Sequence, residues 1–417
     1  MTDDADRAQL LREIAHWRDA VDALGDLDVV ASPEAWARLE GYLRLQIRSR
    51  LTSVVLGLAA DAAALQAGVA ADKDTRALRG ELLRLRSRYT QVETILDFYG
   101  DAVNTRTNPK LAAVLRGLDV IAGDSLDAAL KPLGLESPPV LVYLDKGLGA
   151  SILRAGVRLW DHANPSPAAA VKLTRHNLGH PTALLHEVGH QVAYQTGWTD
   201  ELRAALTEVL SRRSRELGEV WASWASEIAA DVYAFVFCGW APLVALANVV
   251  DGPTSAVYRL LPGDPHPFPL VRVVFNAALC RSWFGPGPWD TVAEAWLERH
   301  PPASAGRESG GLASATLASL GDLVDLCTKR PFTAFHGQPV TALADPRRVS
   351  PDALERFART AGDSLDASHY LARHESLRVF TYLATRASTD PTHLTEHRAR
   401  LRRWLSTLDT DSVVAAA

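Results

Sequence analysis

The sequence predicts a mainly α-helical protein of the α+β class, with a small sheet at its centre and helical lobes on both sides. Three observations carry that expectation. Apolar residues recur at three- and four-residue spacing through residues 1–135 and again beyond Pro181. Two short β-branched runs with Pro, Gly and Asn around them lie between those helical regions. The composition, 47% hydrophobic and 22% charged, is that of an ordinary globular protein with a core to bury.

A chain of 417 residues has room for roughly two to three domains. The helical spacing is plainest in "LLREIAHWRDAVDAL", "LEGYLRLQIRSRLTSVVLGLAADAAAL" and "LRGELLRLRSRYTQVETILDFYG", so residues 1–135 read as an N-terminal helical lobe. "PPVLVYLD" (138–145) and "AAAVKLTR" (168–175) read as strands and open a core spanning 136–300. Helices return at Pro181, broken by Pro- and Gly-rich loops at 260–269 and 284–290. "HPPASAGRESGGLASA" (300–315) reads as a linker or exposed loop ahead of a C-terminal helical region, 301–417. No solenoid repeat is visible.

The net charge of −5 gives no reason to expect a nucleic-acid partner, and the Arg-rich stretches at 76–88 and 398–403 carry Leu at helical spacing, as solvated helix faces do. Three cysteines, Cys238, Cys280 and Cys327, lie far apart and build neither a disulfide framework nor a thiolate zinc site. The acidic, helical N-terminus lacks the order of a secretion signal, and a cytoplasmic location is expected. Residues 232–250 form a charge-free run of 19, close to a bilayer span. Gly239, Pro242 and Asn248 interrupt it, so it reads as a buried helix end, a turn and a second buried helix, and membrane association is not expected.

The stretch with chemistry in it is "ALLHEVGHQVAYQTGW", residues 183–198, whose centre is His-Glu-x-x-His on one amphipathic helix. Residues four apart share a helix face, so His186 and His190 can both offer a ring nitrogen to one ion. Glu187 projects about 100° round the axis, off the ligand face and beside the place of a metal-held water. Thr182 after Pro181 is a plausible start and Gly197 a plausible stop. Gly189 leaves room for another element to approach. A third ligand is needed, since a catalytic zinc takes three protein ligands and keeps a fourth position open. "WASWASEIAADVYAF" (221–235) offers Glu227, with Asp231 four residues on to accept the spare N–H of a ligand histidine. Two bare carboxylates on so apolar a helix would be costly to bury without a cation.

On His186, Glu187, His190, Glu227 and Asp231 the sequence resembles the gluzincin metallopeptidases. "GDPHPFPLVRV" (263–273) makes it most similar to the HtpX and CAAX prenyl endopeptidase family, whose His-Pro and Arg elements follow the glutamate helix. The resemblance covers about residues 168–274; the helical flanks are foreign to it, and substrate class does not carry over. It implies a zincin-like core and zinc as cofactor. It also implies His266 near the metal, as an oxyanion donor or displaceable ligand, and Arg272 bracing the glutamate helix or the site. Tyr194, Tyr233 and Tyr258 are further oxyanion candidates. His176 and His180 are expected to cap or pack the entry loop. The expected activity is zinc-dependent hydrolysis of a peptide or protein substrate, with the strand within 170–175 pairing with an extended chain by edge addition.

Two other readings compete. One is a catalytically silent zinc-binding or scaffold protein whose helical lobes bind a partner. The other is a serine esterase using "GDSL" at 123–126, with Ser125, Asp390 and His393 as a triad. It is weakened because "AGDSLDA" occurs at both 122–128 and 361–367, where Asp and Ser suit helix starts.

Overall fold

The computed structural model describes residues 2–147, 149–156, 166–261 and 263–414. Among the described residues the protein is mainly helical with a small sheet, as expected, and the sheet has three strands. It folds as two compact units, Met1–Pro109 with Leu153–Ala170, and Lys110–Ile152 with Val171–Ala417.

In the first unit three long helices, Thr2–Ala23, Ile47–Ala70 and Thr75–Thr105, bury Leu10, Ile14 and Val21, Leu51, Val54 and Leu58, and Leu78, Leu82 and Leu85. Asp74 caps the last of them by accepting from Ala77 N. The second sequence run is two helices, because Arg44 takes a left-handed conformation (φ 54°) that ends Pro33–Leu43. Among the described residues one helix, Ile47–Ala70, is long and apolar enough to cross a membrane by length and composition. Its inward stripe packs against Thr2–Ala23 and Thr75–Thr105.

The strand order in the sheet is β1 (Val140–Asp145), β3 (Ala169–Thr174), β2 (Ser151–Leu153). β3 is therefore central. The edge addition expected at 170–175 is corrected, since the sheet edges belong to β1 and β2. The buried Asp119 Oδ1 accepts from Val142 N at 2.7 Å and ties helix Pro109–Leu130 to β1. Residues 110–135 go with the second unit rather than with the N-terminal helices.

Residues 232–250 are, as read, a helix end in Ala225–Cys238, a turn and the helix Ala241–Val250. At the turn Gly239 has φ 59° and would place any Cβ 2.6 Å from Val349 O. The stretch 300–315 is no linker. Pro302–Ser304 is a 3-10 turn and Arg307–Leu317 a helix that buries Leu312, Ala313 and Thr316, with Thr316 Oγ1 accepting from Trp221 Nε1 at 3.1 Å. Thr381 Oγ1 likewise donates to Phe237 O at 3.1 Å, so the C-terminal helices share one core with the central region and no boundary falls at 300.

Candidate metal centre

Three helices of the second unit build the site. His186, Glu187 and His190 stand on Ala183–Thr196, which Gly197 (φ 76°) stops as expected. Glu227 and Asp231 stand on Ala225–Cys238, and Arg272 on Pro269–Phe284. The first two helices meet at Gly189, where an added Cβ would lie 2.8 Å from Ala230 Cα and 2.9 Å from Tyr233 Cβ. Aromatics pack edge to face at the N-terminal ends of the second and third helices: Trp224, which precedes Ala225–Cys238, against Phe268, which precedes Pro269–Phe284, at 5.9 Å, and Trp221 of the helix Arg215–Ser223 against Phe275 at 5.6 Å.

The two imidazoles converge on one carboxylate. His186 Nε2 is 3.4 Å from Glu227 Oε2, and His190 Nε2 is 3.2 Å from Glu227 Oε1. Donors about 2.1 Å from a tetrahedral ion stand about 3.4 Å apart, so these spacings suit one metal. The other ring nitrogens are held from behind. His186 Nδ1 is 2.9 Å from Asp231 Oδ1, and His190 Nδ1 is 3.1 Å from Ser226 Oγ. Both rings thus turn Nε2 to the shared carboxylate.

Arg272 grips Asp231 through Nε to Oδ2 at 2.7 Å and Nη2 to Oδ1 at 2.8 Å. Asn276 Nδ2 donates to the same Oδ2 at 3.1 Å. The guanidinium also comes within 3.4 Å of Glu227 Oε2 and 3.1 Å of His186 Nε2. His266 reaches the cluster from the solvent side, its ring 58% exposed, with Nε2 3.6 Å from Glu227 Oε1 and Nδ1 2.6 Å from Asp264 Oδ1.

Charge explains the arrangement. Glu187, Glu227 and Asp231 are all buried. Against them stands the guanidinium of Arg272, so with neutral imidazoles the cluster carries two uncompensated negative charges, which a divalent cation would cancel. Burial raises the Glu187 carboxyl, with His186 and His190 opposing. Burial also works against ionised Glu227, but bonds from both histidines and the charge of Arg272 hold it far below the carboxylate range. For Asp231 the cost of burial is overcome by Arg272 and His186. His186 is pushed down by burial and by Arg272, yet its bonds to Asp231 and Glu227 lift it to about 9. A buried cluster able to hold a metal is therefore present in His186, His190 and Glu227.

No family model, no curated protein and no solved structure matches this chain.

The structure brings together every residue singled out for the site: His186, Glu187, His190, Glu227, Asp231, His266 and Arg272. It separates others. Tyr233 lies in the core with its hydroxyl on Ser125, and the Tyr258 hydroxyl donates to His300 O at 2.8 Å, which leaves neither for an oxyanion. His180 is buried in the entry loop, where burial lowers its pKa. Ser125 is fully buried, inside helix Pro109–Leu130. The helix-start reading of "AGDSLDA" is corrected with it, since the first copy is mid-helix and the second ends Pro351–Ala361 and turns through Gly362–Ser364.

Ser226, Asp264 and Asn276 were missed. Each had a local signal: Ser226 adjoins the ligand glutamate, Asn276 is one helical turn after Arg272, and Asp264 sits where an Asp turns the backbone two residues on.

Proposed function

We propose that the chain is a zinc-dependent metallopeptidase of gluzincin type, with a zincin-like core, that hydrolyses peptide bonds with Glu187 as general base. The observation that carries the reading is the convergence of His186 Nε2 and His190 Nε2 on the Glu227 carboxylate, at 3.4 and 3.2 Å, beside the buried Glu187. Two imidazoles and one carboxylate in a largely buried, anionic setting favour zinc over the oxygen-seeking alkaline earths. A bound zinc ion would supply a water acidic enough to ionise near neutral pH and a Lewis acid for the scissile carbonyl.

Each protein group then has a task. The Glu187 carboxylate takes a proton from the attacking water and passes it to the leaving amine, and a carboxyl raised by burial suits a group that must hold that proton between the two events. Asp231 and Ser226 hold Nδ1 of His186 and His190, which frees both Nε2 atoms for the ion. Arg272 and Asn276 hold Asp231 in turn. His266, with Nδ1–H held by Asp264 on the open side, donates Nε2–H when the ring is doubly protonated, to the carbonyl oxygen as its charge develops. The substrate class is a peptide or an unfolded stretch of protein.

The test is metal-dependent cleavage of a mixed peptide pool by the tag-free chain. Chelation should abolish cleavage, and zinc near one equivalent of site should restore it. Cleavage that is indifferent to the chelator, or absent at full zinc loading, would sink the reading.

A further inference from the structure

Helix Ser376–Thr389 turns into helix Leu394–Val414 through a corner built on Asp390. Its Oδ1 does ordinary turn work, accepting from Thr392 N and His393 N at 3.2 Å each. Its Oδ2 faces three nitrogens: Arg386 Nη2 at 3.0 Å, His393 Nδ1 at 3.2 Å and His397 Nε2 at 3.0 Å. Two of the three are imidazole nitrogens that meet on one carboxylate oxygen, a donor set that suits a transition metal as well as it suits a cap.

We propose that Asp390, His393 and His397 form a second metal site, separate from the cluster at His186, which takes a divalent transition ion such as zinc or nickel. Their donor atoms lie within 4.8 Å of one another. His393 and His397 are four apart at the start of one helix, with their rings 6.1 Å apart, the spacing that lets two imidazoles share an ion. Nitrogen donors select a transition metal over magnesium or calcium. Access is open, because the His393 ring is 59% exposed while His397 and Asp390 are 16% and 18% exposed. Arg386, 39% exposed, is free to swing into solvent as the ion arrives. Bound there, the ion joins Asp390, at the end of one helix, to His393 and His397 at the start of the next. Its remaining positions stay with water, so it exchanges faster than an ion in the buried cluster.

The experiment is zinc stoichiometry by equilibrium dialysis and elemental analysis on the tag-free full chain, for wild type, His393→Ala and His186→Ala. Wild type should hold about two equivalents and each variant about one, with the ion lost in His393→Ala being the one a chelator strips first. His393 is exposed enough that its variant keeps the wild-type circular dichroism, and His397→Ala provides a second variant at the same site. Equal zinc in wild type, His393→Ala and His397→Ala overturns the inference while leaving the proposed function intact. A single equivalent that depends on His393 and not on His186 upholds the inference and removes the proposed function.

Discussion

Asp231 and Arg272 form a two-bond ion pair, Nε to Oδ2 at 2.7 Å and Nη2 to Oδ1 at 2.8 Å, and neither group has significant access to solvent. The carboxylate is thereby committed on one side to a guanidinium and on the other to His186 Nδ1 at 2.9 Å. Removing the arginine strands a buried charge. Arg272→Met should therefore lose about 3–5 kcal/mol in urea unfolding. Asp231→Asn should weaken zinc binding about 10–100-fold, because the asparagine no longer fixes the ligand ring as a carboxylate does. In the double variant the stability losses should sum to clearly less than the two single losses, since either change alone breaks the same pair. Strict additivity would deny the pair its role.

Close approach at Gly189 sets the distance between the two ligand helices. A methyl there meets backbone, Ala230 Cα at 2.8 Å, and cannot be relieved by turning a side chain. Gly189→Ala should cost about 1–3 kcal/mol and lower zinc affinity by moving Glu227 away from both histidines. A variant with wild-type stability and affinity would show that the helices are not held at contact.

The metal-free cluster should make stability depend on pH. His186 is raised from 6.5 to about 9, so the stability it contributes is complete below its unfolded value of 6.5 and is lost as pH rises through about 9. Glu227 and Asp231 are depressed from 4.5 and 3.8, so their contribution is present above those values and is lost as pH falls below them. The melting temperature of the chelated protein should decline between pH 6.5 and 9. The zinc-loaded protein, whose His186 Nε2 is taken, should not decline over the same interval. Parallel profiles for the two forms would contradict the assignment.

Ser125 offers a sharp negative. Its Oγ is 2.9 Å from Tyr233 Oη in the core, and Tyr233 Oη also donates to Ser125 O at 2.9 Å, so the phenol keeps a partner when the hydroxyl is removed. Ser125→Ala should cost about 1 kcal/mol and leave hydrolysis unchanged. Loss of activity at wild-type zinc content would revive a serine nucleophile.

Much of the site was legible because helix periodicity ties spacing to geometry. The intervals from His186 to His190, and from Glu227 to Asp231, each place two groups on one face whatever the tertiary fold. Arg272 and His266 entered through resemblance, and their side chains do reach Glu227 and Asp231. What stayed hidden depends on which segments meet. Their local signals name Ser226 and Asn276 as neighbours of the site, yet do not say that Ser226, rather than a carboxylate, will back His190, or that Asn276 will share Asp231 with Arg272. Capping signals misled for the same reason: in "AGDSLDA" the first copy is held mid-helix by burial of Ser125 and Leu126, which outweighs its preference for a helix start. The Gly- and Ser-rich stretch at 300–315 looked like a linker, yet small residues there let Gly310 pack on Pro302 O, where a Cβ would stand at 2.5 Å. A third, three-residue strand at Ser151–Leu153 was too short to show a period at all.

The central claim is that Glu187 moves the proton while His186, His190 and Glu227 hold the ion. Glu187→Gln keeps the shape of a fully packed side chain and removes only its capacity as a base. The direct measurement is cleavage of a peptide pool by wild type and Glu187→Gln at matched, measured zinc content. The account predicts unchanged zinc and a fall in kcat of about 100-fold or more. A Glu187→Gln protein that holds its zinc and cleaves at the wild-type rate would contradict it.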